Sequence, residues 1–593
     1  MHKSAWLMVL LSAGLQILVF PLPNLYFLCW AAIAPLLVAL LRAREPDTLQ
    51  LQAGVKLLPA RPGQAFLLAY CCGILWYAGT CYWIFNTMRQ YGGVGTAAAL
   101  GLLFLFCLYL ALYHGLFGLL ISLLANSFGR GAQSSRTEGA GTSPGTRQVL
   151  LLAPFLWVAV ELARTRVTGF PWDLLGIAQV DNIPLSRIAT VTGVYGLSFE
   201  IMVVNTALAA AFLIRGERGH RSQRTPLLLA TLAAVVVLQA GRWISPPPSP
   251  ATHTARLVQA NVPILQGGDW TKEYFEDTLR DLGGVSLNKP GLNNPDLNKS
   301  GAEQTGSSAA AGSSSNSSRS NGAQSNGSPS GDSSGATAPR PDLIAWPESP
   351  APFFTTDPAF RDAVSNMARE AQTWVLVGSM GVRNASETPQ HATELYNSGS
   401  LVSPAGEWVG RYDKTHLVPF GEYVPFKRVF GFAGGLTKEV GDYSPGTSRA
   451  PLQAGSGKLG VLICYESIFP DEIRQLAANG AEVFVNLSND GWYGDSGAYA
   501  QHLKQARMRA VENDRWLLRD TNTGVTAAID PYGRVVSSIP RKVRTAFDAN
   551  YALTNVTTFY TRHGDWFAYL CAIISMAGLL FHFLYRARTE TPS

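Results

Sequence analysis

The sequence predicts a polytopic α-helical membrane domain of eight spans joined to an α/β domain that lies on one side of the membrane. Two observations carry this prediction: long apolar runs crowd the first 245 residues and recur near the C-terminus, and strand-like and helix-like runs alternate between them. Of the 593 residues, 47% are apolar and only 15% are charged, which is not typical of one soluble enzyme. The expected domains are 1–245 with seven spans, 250–560 outside the membrane, and 564–593 with the last span and a tail.

Eight apolar stretches are long enough to cross a bilayer as helices, which takes roughly 20 residues each. They lie at about 5–20, 24–42, 66–86, 97–126, 149–163, 189–214, 226–241 and 566–585. The fourth is longer than a bilayer requires, so it is expected to tilt or to emerge from the membrane. The fifth is short and is expected to continue beyond Glu161.

Lys and Arg residues flank the predicted spans unevenly. If the N-terminus is cytoplasmic, most of them fall on the cytoplasmic side, as at 42–61 and 215–224. This bias predicts that both termini are cytoplasmic and that residues 250–560 lie on the opposite side. The net charge of +6 then reflects topology and gives no indication of nucleic-acid binding.

Cys464 stands apart from the other six cysteines. It is alone in the external domain, whereas the others fall within predicted spans: Cys29, Cys71, Cys72, Cys81, Cys107 and Cys571. No CxxC or Cys/His zinc spacing accompanies it, and we expect no metal or cofactor. An unpaired cysteine on the oxidising side of a membrane is a liability unless it is buried or used. Because free cysteine often only packs, an inert residue and a nucleophile both remain open.

The external half alternates strands and helices around a low-complexity tract. Strand-like runs lie at 256–262, 342–348, 374–380, 396–403, 458–466, 482–490, 515–521 and 525–531, and helix-like runs at 274–282, 360–372, 471–480 and 499–514. The Ser/Gly/Asn-rich residues 287–340 are expected to form a disordered insertion in a surface loop. Asp530 to Gly533 predict a hairpin turn. Cys464 lies near a strand end, the kind of sheet edge where α/β folds build sites.

Three stretches offer partners for a cysteine nucleophile, which needs a base for its proton and a group that stabilises the oxyanion. Glu348 ends WPE, while Lys414 and Glu422 lie in DKTHLVPFGEY. The third stretch, ICYE, contains Cys464 itself. Taken singly, each partner has an ordinary alternative: a solvated strand-end carboxylate, a surface lysine or a turn residue. Spacing alone also leaves open a Cys–His dyad through His416.

Taken in order, these residues resemble the nitrilase, or carbon–nitrogen hydrolase, superfamily, in which a Glu ends one strand, a Lys lies in a loop after a hairpin and a Cys ends a later strand. The resemblance covers about 256–550 and is carried by WPE (346–348), YNS (396–398), YDKTHLVPFGEYVP (412–425), ICYE (463–466), SNDGWYG (488–494), HLKQARMRAVE (502–512) and TNTGVTA (521–527). With TGFPW (168–172) and GVYGLSF (193–199), nearly the whole chain except 287–340 resembles the apolipoprotein N-acyltransferase family. That resemblance implies an α-β-β-α sandwich for the external domain.

The resemblance also implies a reaction. Glu348 would be the general base for Cys464, and Lys414 would stabilise the oxyanion. Cys464 would take an acyl group from a phospholipid as a thioester and pass it, by ping-pong kinetics, to the α-amine of the S-diacylglyceryl cysteine of an apolipoprotein. Supporting roles are implied for Glu422, Tyr465 and Glu466, and weaker substrate-binding roles for Trp270, Asn397, Trp492 and Arg515. His416 has no catalytic role, and the enzyme would be a monomer in a bacterial inner membrane with its catalytic domain in the periplasm.

Two other functions remain open at this point. A membrane-tethered amidase or nitrilase would use the same Glu, Lys and Cys and would pass the acyl group to water. A transporter or scaffold would use the external domain only to bind ligands, although the spans show no clear internal repeat and few polar residues. In the helical half, Trp172 is expected to be an interfacial anchor, with a role in lipid access as the alternative.

Overall fold

A computed structural model describes residues 1–46, 57–131, 144–213, 221–264, 270–289, 340–384, 393–424 and 442–590. These residues form an N-terminal helical part, an α/β part and a C-terminal helix. The insertion predicted at 287–340 lies outside the described residues except at its two ends.

The helical part is built from ten α-helices before residue 245 and two at the C-terminal end, among the described residues. Their bounds are Lys3–Val19, Ala34–Leu41, Pro62–Thr80, Trp83–Gln90, Thr96–Gly131, Pro144–Ala163, Ile183–Ser186, Ala189–Thr192, Val194–Leu213, Arg221–Ala240, Phe559–His563 and Trp566–Glu590. Short 3-10 segments lie at Tyr26–Trp30, Leu175–Gln179 and Gly241–Trp243. The helix Pro144–Ala163 continues as a π-turn to Thr168, which confirms the extension predicted beyond Glu161.

Four helices are long and apolar enough to cross a membrane by length and composition. They are Thr96–Asn126, Arg147–Thr168, Val194–Leu213 and Arg224–Trp243. A fifth candidate is the pair Pro62–Thr80 and Trp83–Gln90, which is bent by 52°. Shorter apolar helices occupy Lys3–Val19, Tyr26–Leu41 and Trp566–Phe581. Each of the eight predicted stretches is thus largely helical, while the number of spans stays a prediction.

Three spans predicted as continuous are broken. The stretch 24–42 divides into the 3-10 segment Tyr26–Trp30 and a helix that begins at Ala34. The stretch 66–86 bends near Cys81, and 189–214 is interrupted at Gly193, which has a φ of 65°. A Cβ at Gly193 would lie 2.5 Å from the ring of Tyr560, so this break lets the C-terminal segment pack closely. Hydropathy detects an apolar run but not such a break.

The α/β part contains twelve strands in two six-stranded sheets. The strands are β1 (His253–Gln259), β2 (Leu343–Ala345), β3 (Trp374–Arg383), β4 (Glu394–Val402), β5 (Trp408–Asp413), β6 (Leu452–Ala454), β7 (Gly457–Ile463), β8 (Val483–Ser488), β9 (Leu517–Thr521), β10 (Thr526–Ile529), β11 (Val535–Ile539) and β12 (Thr545–Tyr551). Their order is β12-β1-β2-β3-β4-β5 in one sheet and β11-β10-β9-β8-β7-β6 in the other. In the first sheet β2 is parallel to β1 and β3, and in the second β8 is parallel to β7 and β9. All other neighbouring strands are antiparallel. The predicted hairpin turn at 530–533 joins β10 to β11.

The two sheets face each other across an apolar core, and helices cover their outer faces. At Gly399 of β4, a Cβ would lie 3.1 Å from Val461 of β7, which shows how closely the sheets approach. The helices Lys272–Ser286 and Pro358–Ala371 cover the first sheet. The helices Pro470–Ala478 and Ala498–Asn513 cover the second, so the predicted α-β-β-α sandwich is confirmed.

One of these covering helices joins the sandwich to the helical part. In Ala498–Asn513, the Gln501 amide donates to the carbonyl oxygens of Pro21 and Thr80 at 2.9 and 3.2 Å. Trp172 donates from its indole nitrogen to Gln501 at 2.7 Å and is 1% exposed. The prediction that Trp172 is an interfacial anchor is therefore wrong, because its ring is buried under the sandwich.

Candidate active site

Cys464 begins a 3-10 turn directly after β7 ends at Ile463. Its φ of 49° lies in the left-handed region, which residues other than Gly, Asn and Asp seldom adopt. Its side chain is 6% exposed. The Ile463 amide donates to Glu466 Oε2 at 2.7 Å and closes the turn. Cys464 therefore occupies a strand end, as the sequence predicts.

Glu348 follows β2 and is held by three donors. Its Oε1 accepts hydrogen bonds from Asn397 Nδ2 at 2.8 Å and from Lys414 Nζ at 3.3 Å. Its Oε2 accepts one from the Asn489 amide at 2.8 Å. Gly378 lets the backbone at Glu348 lie close to β3, because a Cβ at Gly378 would lie 2.9 Å from the Glu348 Cα. These three donors fix the position of both carboxylate oxygens of Glu348.

Lys414 follows β5 and is charged although it is buried. Its amide donates to the Asn397 carbonyl at 2.8 Å, and its Nζ donates to Glu422 Oε1 at 2.9 Å. Glu422 is in turn fixed by the Val418 amide at 2.7 Å. Burial alone would lower the pKa of Lys414, but the carboxylates of Glu422 and Glu348 outweigh it and raise that pKa. A fixed ammonium therefore faces the cysteine.

The pKa of the Cys464 thiol lies above its usual range. Burial raises the pKa of the Cys464 thiol, and the charge of Glu348 raises it further. The ammonium of Lys414 acts in the opposite direction without cancelling these effects. Because the thiolate is the nucleophile, a base must take the proton as attack occurs. Two carboxylates act on the thiol, Glu348 and Asp490, and Glu348 has the larger effect.

Glu466 ties the lysine loop to the cysteine strand. Its Oε1 accepts hydrogen bonds from the Tyr412 hydroxyl at 2.8 Å, the Thr415 amide at 2.7 Å and the Thr415 hydroxyl at 2.9 Å. The His416 amide adds a fourth at 3.2 Å. These four donors flank Lys414 on both sides, so Glu466 fixes the lysine relative to Cys464.

His416 is directed elsewhere. Its Nδ1 lies 2.9 Å from Glu472 Oε1, and its ring stacks on Phe469 with 3.7 Å between ring centroids. None of its described contacts is with Cys464. The geometry therefore gives no support to a Cys–His dyad.

One predicted supporting residue, Tyr465, and one predicted substrate-binding residue, Trp492, contact the helical part. The Tyr465 hydroxyl donates to the Gly169 carbonyl at 3.3 Å. The Trp492 carbonyl accepts from the Thr87 hydroxyl at 2.8 Å, and its ring packs edge-on against Tyr91 at 5.3 Å. The candidate site consequently lies directly beside the apolar helices.

Trp270 and Arg515 make no described contact with Glu348, Lys414 or Cys464. Trp270 packs on Tyr274 at 5.0 Å, on the outer side of the first sheet. Arg515 donates to backbone carbonyls, with Ala481 at 2.9 Å among them. Their substrate-binding roles stay predictions.

Sequence reasoning did not assign three buried residues next to the site. The Asn489 amide donates to Glu348 as described above, and His502 Nε2 lies 3.0 Å from the carbonyl oxygen of Cys464. Asp490 lies 3.0 Å from His502 Nδ1 and 2.8 Å from Arg519 Nη2. They lie in SNDGWYG and HLKQARMRAVE, which contributed to the resemblance without giving roles.

A buried thiol, a carboxylate and an ammonium suit covalent acyl transfer. The described residues contain no His, Cys, Asp or Glu group arranged to hold a metal ion.

Both parts of the chain match known protein families. Residues 12–207 match the model of the apolipoprotein N-acyltransferase N-terminal domain, and residues 333–558 match the carbon–nitrogen hydrolase model. An apolipoprotein N-acyltransferase of Geobacter metallireducens is 33% identical over 572 residues, which cover 95% of this chain and 93% of its own. The chain belongs to the apolipoprotein N-acyltransferase family. The Methylococcus capsulatus member is 32% identical over 87% of each chain.

Membership of the apolipoprotein N-acyltransferase family confirms the resemblance found in the sequence. The protein is an acyltransferase with a carbon–nitrogen hydrolase domain and a membrane-type helical domain. Among solved structures, an amidase from Nesterenkonia sp. aligns with 53% of this chain and 94% of its own at 16% identity and a TM-score of 0.31, a superposition too weak to carry an inference.

Proposed function

We propose that this enzyme moves an acyl group from a phospholipid to the α-amine of the S-diacylglyceryl cysteine at the N-terminus of apolipoproteins, through a thioester on Cys464. The observation that carries the proposal is the buried cluster of Glu348, Lys414 and Cys464 next to the helical part. The printed name of the relatives supports the acceptor. The position of the site beside apolar helices supports a lipid donor.

In the first half-reaction, Glu348 takes the proton of Cys464 as Sγ attacks the ester carbonyl of the phospholipid. The oxygen that becomes negative is stabilised by the ammonium of Lys414. Collapse breaks the ester bond, the glycerol oxygen takes the proton from Glu348, and a lysophospholipid leaves. The acyl group then remains on Sγ as a thioester.

In the second half-reaction, the α-amine of the acceptor attacks the thioester carbonyl. Glu348 takes a proton from the amine, the amide forms, and the departing thiolate of Cys464 receives that proton. Ping-pong kinetics follow from two substrates that use one nucleophile in turn. Water must be kept from the thioester, and a site that opens onto a bilayer excludes it.

The remaining residues position this cluster in the proposal. Glu422 neutralises Lys414, Glu466 fixes its loop, and Asn397 donates to both Glu348 and Glu422 at 2.8 and 2.7 Å. Tyr465 and Trp492 would order the side of the site that faces the helices. Substrate-binding roles for Trp270 and Arg515 are kept as part of the proposal.

The proposal includes a location. The enzyme would be a monomer in a bacterial inner membrane, with eight spans, cytoplasmic termini and a periplasmic catalytic domain at 250–560. The Lys and Arg bias of the loops supports this orientation. The domains would be 1–245, 250–560 and 564–593.

The test uses the full-length enzyme in detergent–phospholipid micelles, with a synthetic S-diacylglyceryl-cysteinyl peptide as acceptor. The expected products are the N-acylated peptide and one lysophospholipid for each peptide modified, with none from Cys464→Ala. A peptide with a blocked α-amine is the matched control and should yield no N-acylated product. Release of free fatty acid with no modified peptide would instead support the hydrolase alternative, which the names of the relatives do not support.

A further inference from the structure

The backbone of Cys464 is held in an unfavourable conformation. Left-handed backbone costs a residue with a Cβ roughly 1–2 kcal/mol. Such a conformation persists only where the surroundings impose it. The φ of 49° at Cys464 therefore requires neighbours that fix its peptide groups.

The neighbour on the carbonyl side is His502, which is fully buried. Its Nε2 lies 3.0 Å from the Cys464 carbonyl oxygen and 2.8 Å from Ser467 Oγ. Because a carbonyl oxygen only accepts, the contact requires a proton on Nε2. Burial and the guanidinium of Arg519 lower the pKa of His502, while the carboxylate of Asp490 acts in the opposite direction. The other ring nitrogen, Nδ1, lies 3.0 Å from Asp490 Oδ1 and 3.1 Å from Arg519 Nη2.

The plane of the His502 ring is fixed by residues from both halves of the protein. Trp172 of the helical part stacks on it at 6.0 Å with an interplanar angle of 22°. Tyr493 meets it edge-on at 5.7 Å. Gln501, the preceding residue of the same helix, accepts from the Trp172 indole. The helical part therefore fixes the orientation of a ring that contacts the backbone of Cys464.

We propose that His502 is a positioning residue for Cys464: it donates from Nε2 to the Cys464 carbonyl oxygen and so keeps Sγ aimed between Glu348 and Lys414. The inference rests on the proposed role of Cys464 as the nucleophile. His502 does not touch the acyl group. Without its donor, Cys464 relaxes towards negative φ and Sγ turns away from its base. Trp172 stacks on the His502 ring and holds its orientation, so the position of Cys464 Sγ depends on the helical part.

Two substitutions separate the two ring nitrogens. His502→Gln puts an amide donor near the position of Nε2, whereas His502→Asn reaches only the position of Nδ1. In the full-length enzyme with palmitoyl-oleoyl phosphatidylethanolamine, the rate of acyl-Cys464 formation in a single turnover is measured against lipid concentration. We expect His502→Asn to be slower by roughly 10- to 100-fold, since small displacements of a reacting group cost about that much. His502→Gln should stay within about threefold of wild type, and the half-saturating lipid concentration should not change in either.

The outcomes are distinct. Equal, wild-type rates in both variants overturn the inference, and so does an equal loss in both with a lower melting temperature, which would indicate a merely structural role. A wild-type enzyme that never carries acyl on Cys464 overturns the proposed function instead. If neither variant folds, Trp172→Leu is compared with Trp172→Phe, which keeps a stacking ring. Equal acylation rates in that pair also overturn the inference.

Discussion

Lys414 Nζ lies 2.9 Å from Glu422 Oε1, closer than the 3.3 Å that separates it from the carboxylate of Glu348. The charge of the lysine is therefore balanced mainly by Glu422. Glu348 keeps its capacity to accept a proton from Cys464, while the ammonium remains available for the oxyanion. The two carboxylates thus have different roles: Glu422 is the counter-charge of Lys414, and Glu348 is the base for Cys464.

Replacement of Glu348 by Gln removes the proposed base and leaves the shape of the site nearly unchanged. We expect acyl-enzyme formation to slow by roughly 10²- to 10⁴-fold, which is the usual contribution of a general base. The measurement is the single-turnover release of lysophospholipid. Glu407→Gln, in an exposed turn, is the matched control and should behave as wild type. A Glu348→Gln enzyme with a wild-type rate would exclude Glu348 as the base.

Replacement of Glu422 by Gln removes the nearest counter-charge of Lys414. The raised pKa of Lys414 should fall, because the carboxylate that does most to raise it is lost. The ammonium is needed for catalysis, so the alkaline limb of the pH–rate profile should move to lower pH. The ammonium should also turn towards Glu348 and weaken it as a base, lowering the rate about tenfold or more at neutral pH. An unchanged pH profile would contradict the proposed division between the two carboxylates.

Replacement of Glu466 by Gln should loosen the loop that carries Lys414. A neutral amide has one acceptor oxygen in place of two, and Glu466 accepts from five donors. We expect lower activity together with a lower melting temperature. Tyr412→Phe removes only one of these donors and serves as the control. It should lower the free energy of unfolding by about 1 kcal/mol or less. If Glu466→Gln lowered the activity and the melting temperature less than Tyr412→Phe does, the loop that carries Lys414 would be held by other contacts.

The pair of Asp490 and Arg519 predicts a dependence of stability on pH. Burial alone would raise the pKa of Asp490, but Arg519 and His502 hold it well below its usual range. An unfolded Asp has a pKa of about 4. The stabilisation is therefore complete above that pH and is lost as the pH falls towards the lower pKa of Asp490 in the folded protein. Asp490→Asn should cost about 3–5 kcal/mol at pH 7, since it leaves Arg519 buried without a counter-charge.

The measurement is the melting temperature of the detergent-solubilised protein between pH 7 and pH 3. The gap between wild type and Asp490→Asn should narrow as the pH falls. Asp277→Asn is the control, because its ion pair with Arg280 is exposed and should contribute little. A gap that widens in acid would contradict the depressed pKa of Asp490.

Much of the sandwich could be predicted from the sequence because its central strands are continuous apolar runs. Each of the eight predicted strand runs contains a strand, while β5, β6, β11 and β12 were not predicted as strands. These four are the edge strands of the two sheets, and their sequences contain polar residues. In β12, for example, Asp548 and Asn550 interrupt the apolar pattern, and the strand forms by antiparallel pairing with β1. Its structure depends on a partner almost 300 residues away in the sequence.

Some residues of the candidate site could be predicted from the sequence, and others could not. Glu348 and Cys464 could be found because each lies near the end of a predicted strand, and Lys414 because the order of the three residues resembles a known superfamily. His502 could not, because nothing in HLKQARMRAVE shows that the helix is buried on two sides, between the second sheet and Trp172. Its contact with Cys464 exists only after the sandwich has docked on the helical part.

The central claim is that Cys464 carries an acyl group taken from lipid. Intact-protein mass spectrometry with peptide mapping tests it on enzyme purified with its phospholipids, with and without hydroxylamine. We expect a hydroxylamine-labile fatty-acyl mass on the peptide that contains Cys464, absent in Cys464→Ala and discharged by a diacylglyceryl-cysteinyl peptide. An unmodified Cys464 peptide after incubation with phospholipids of varied head group and chain length would contradict it.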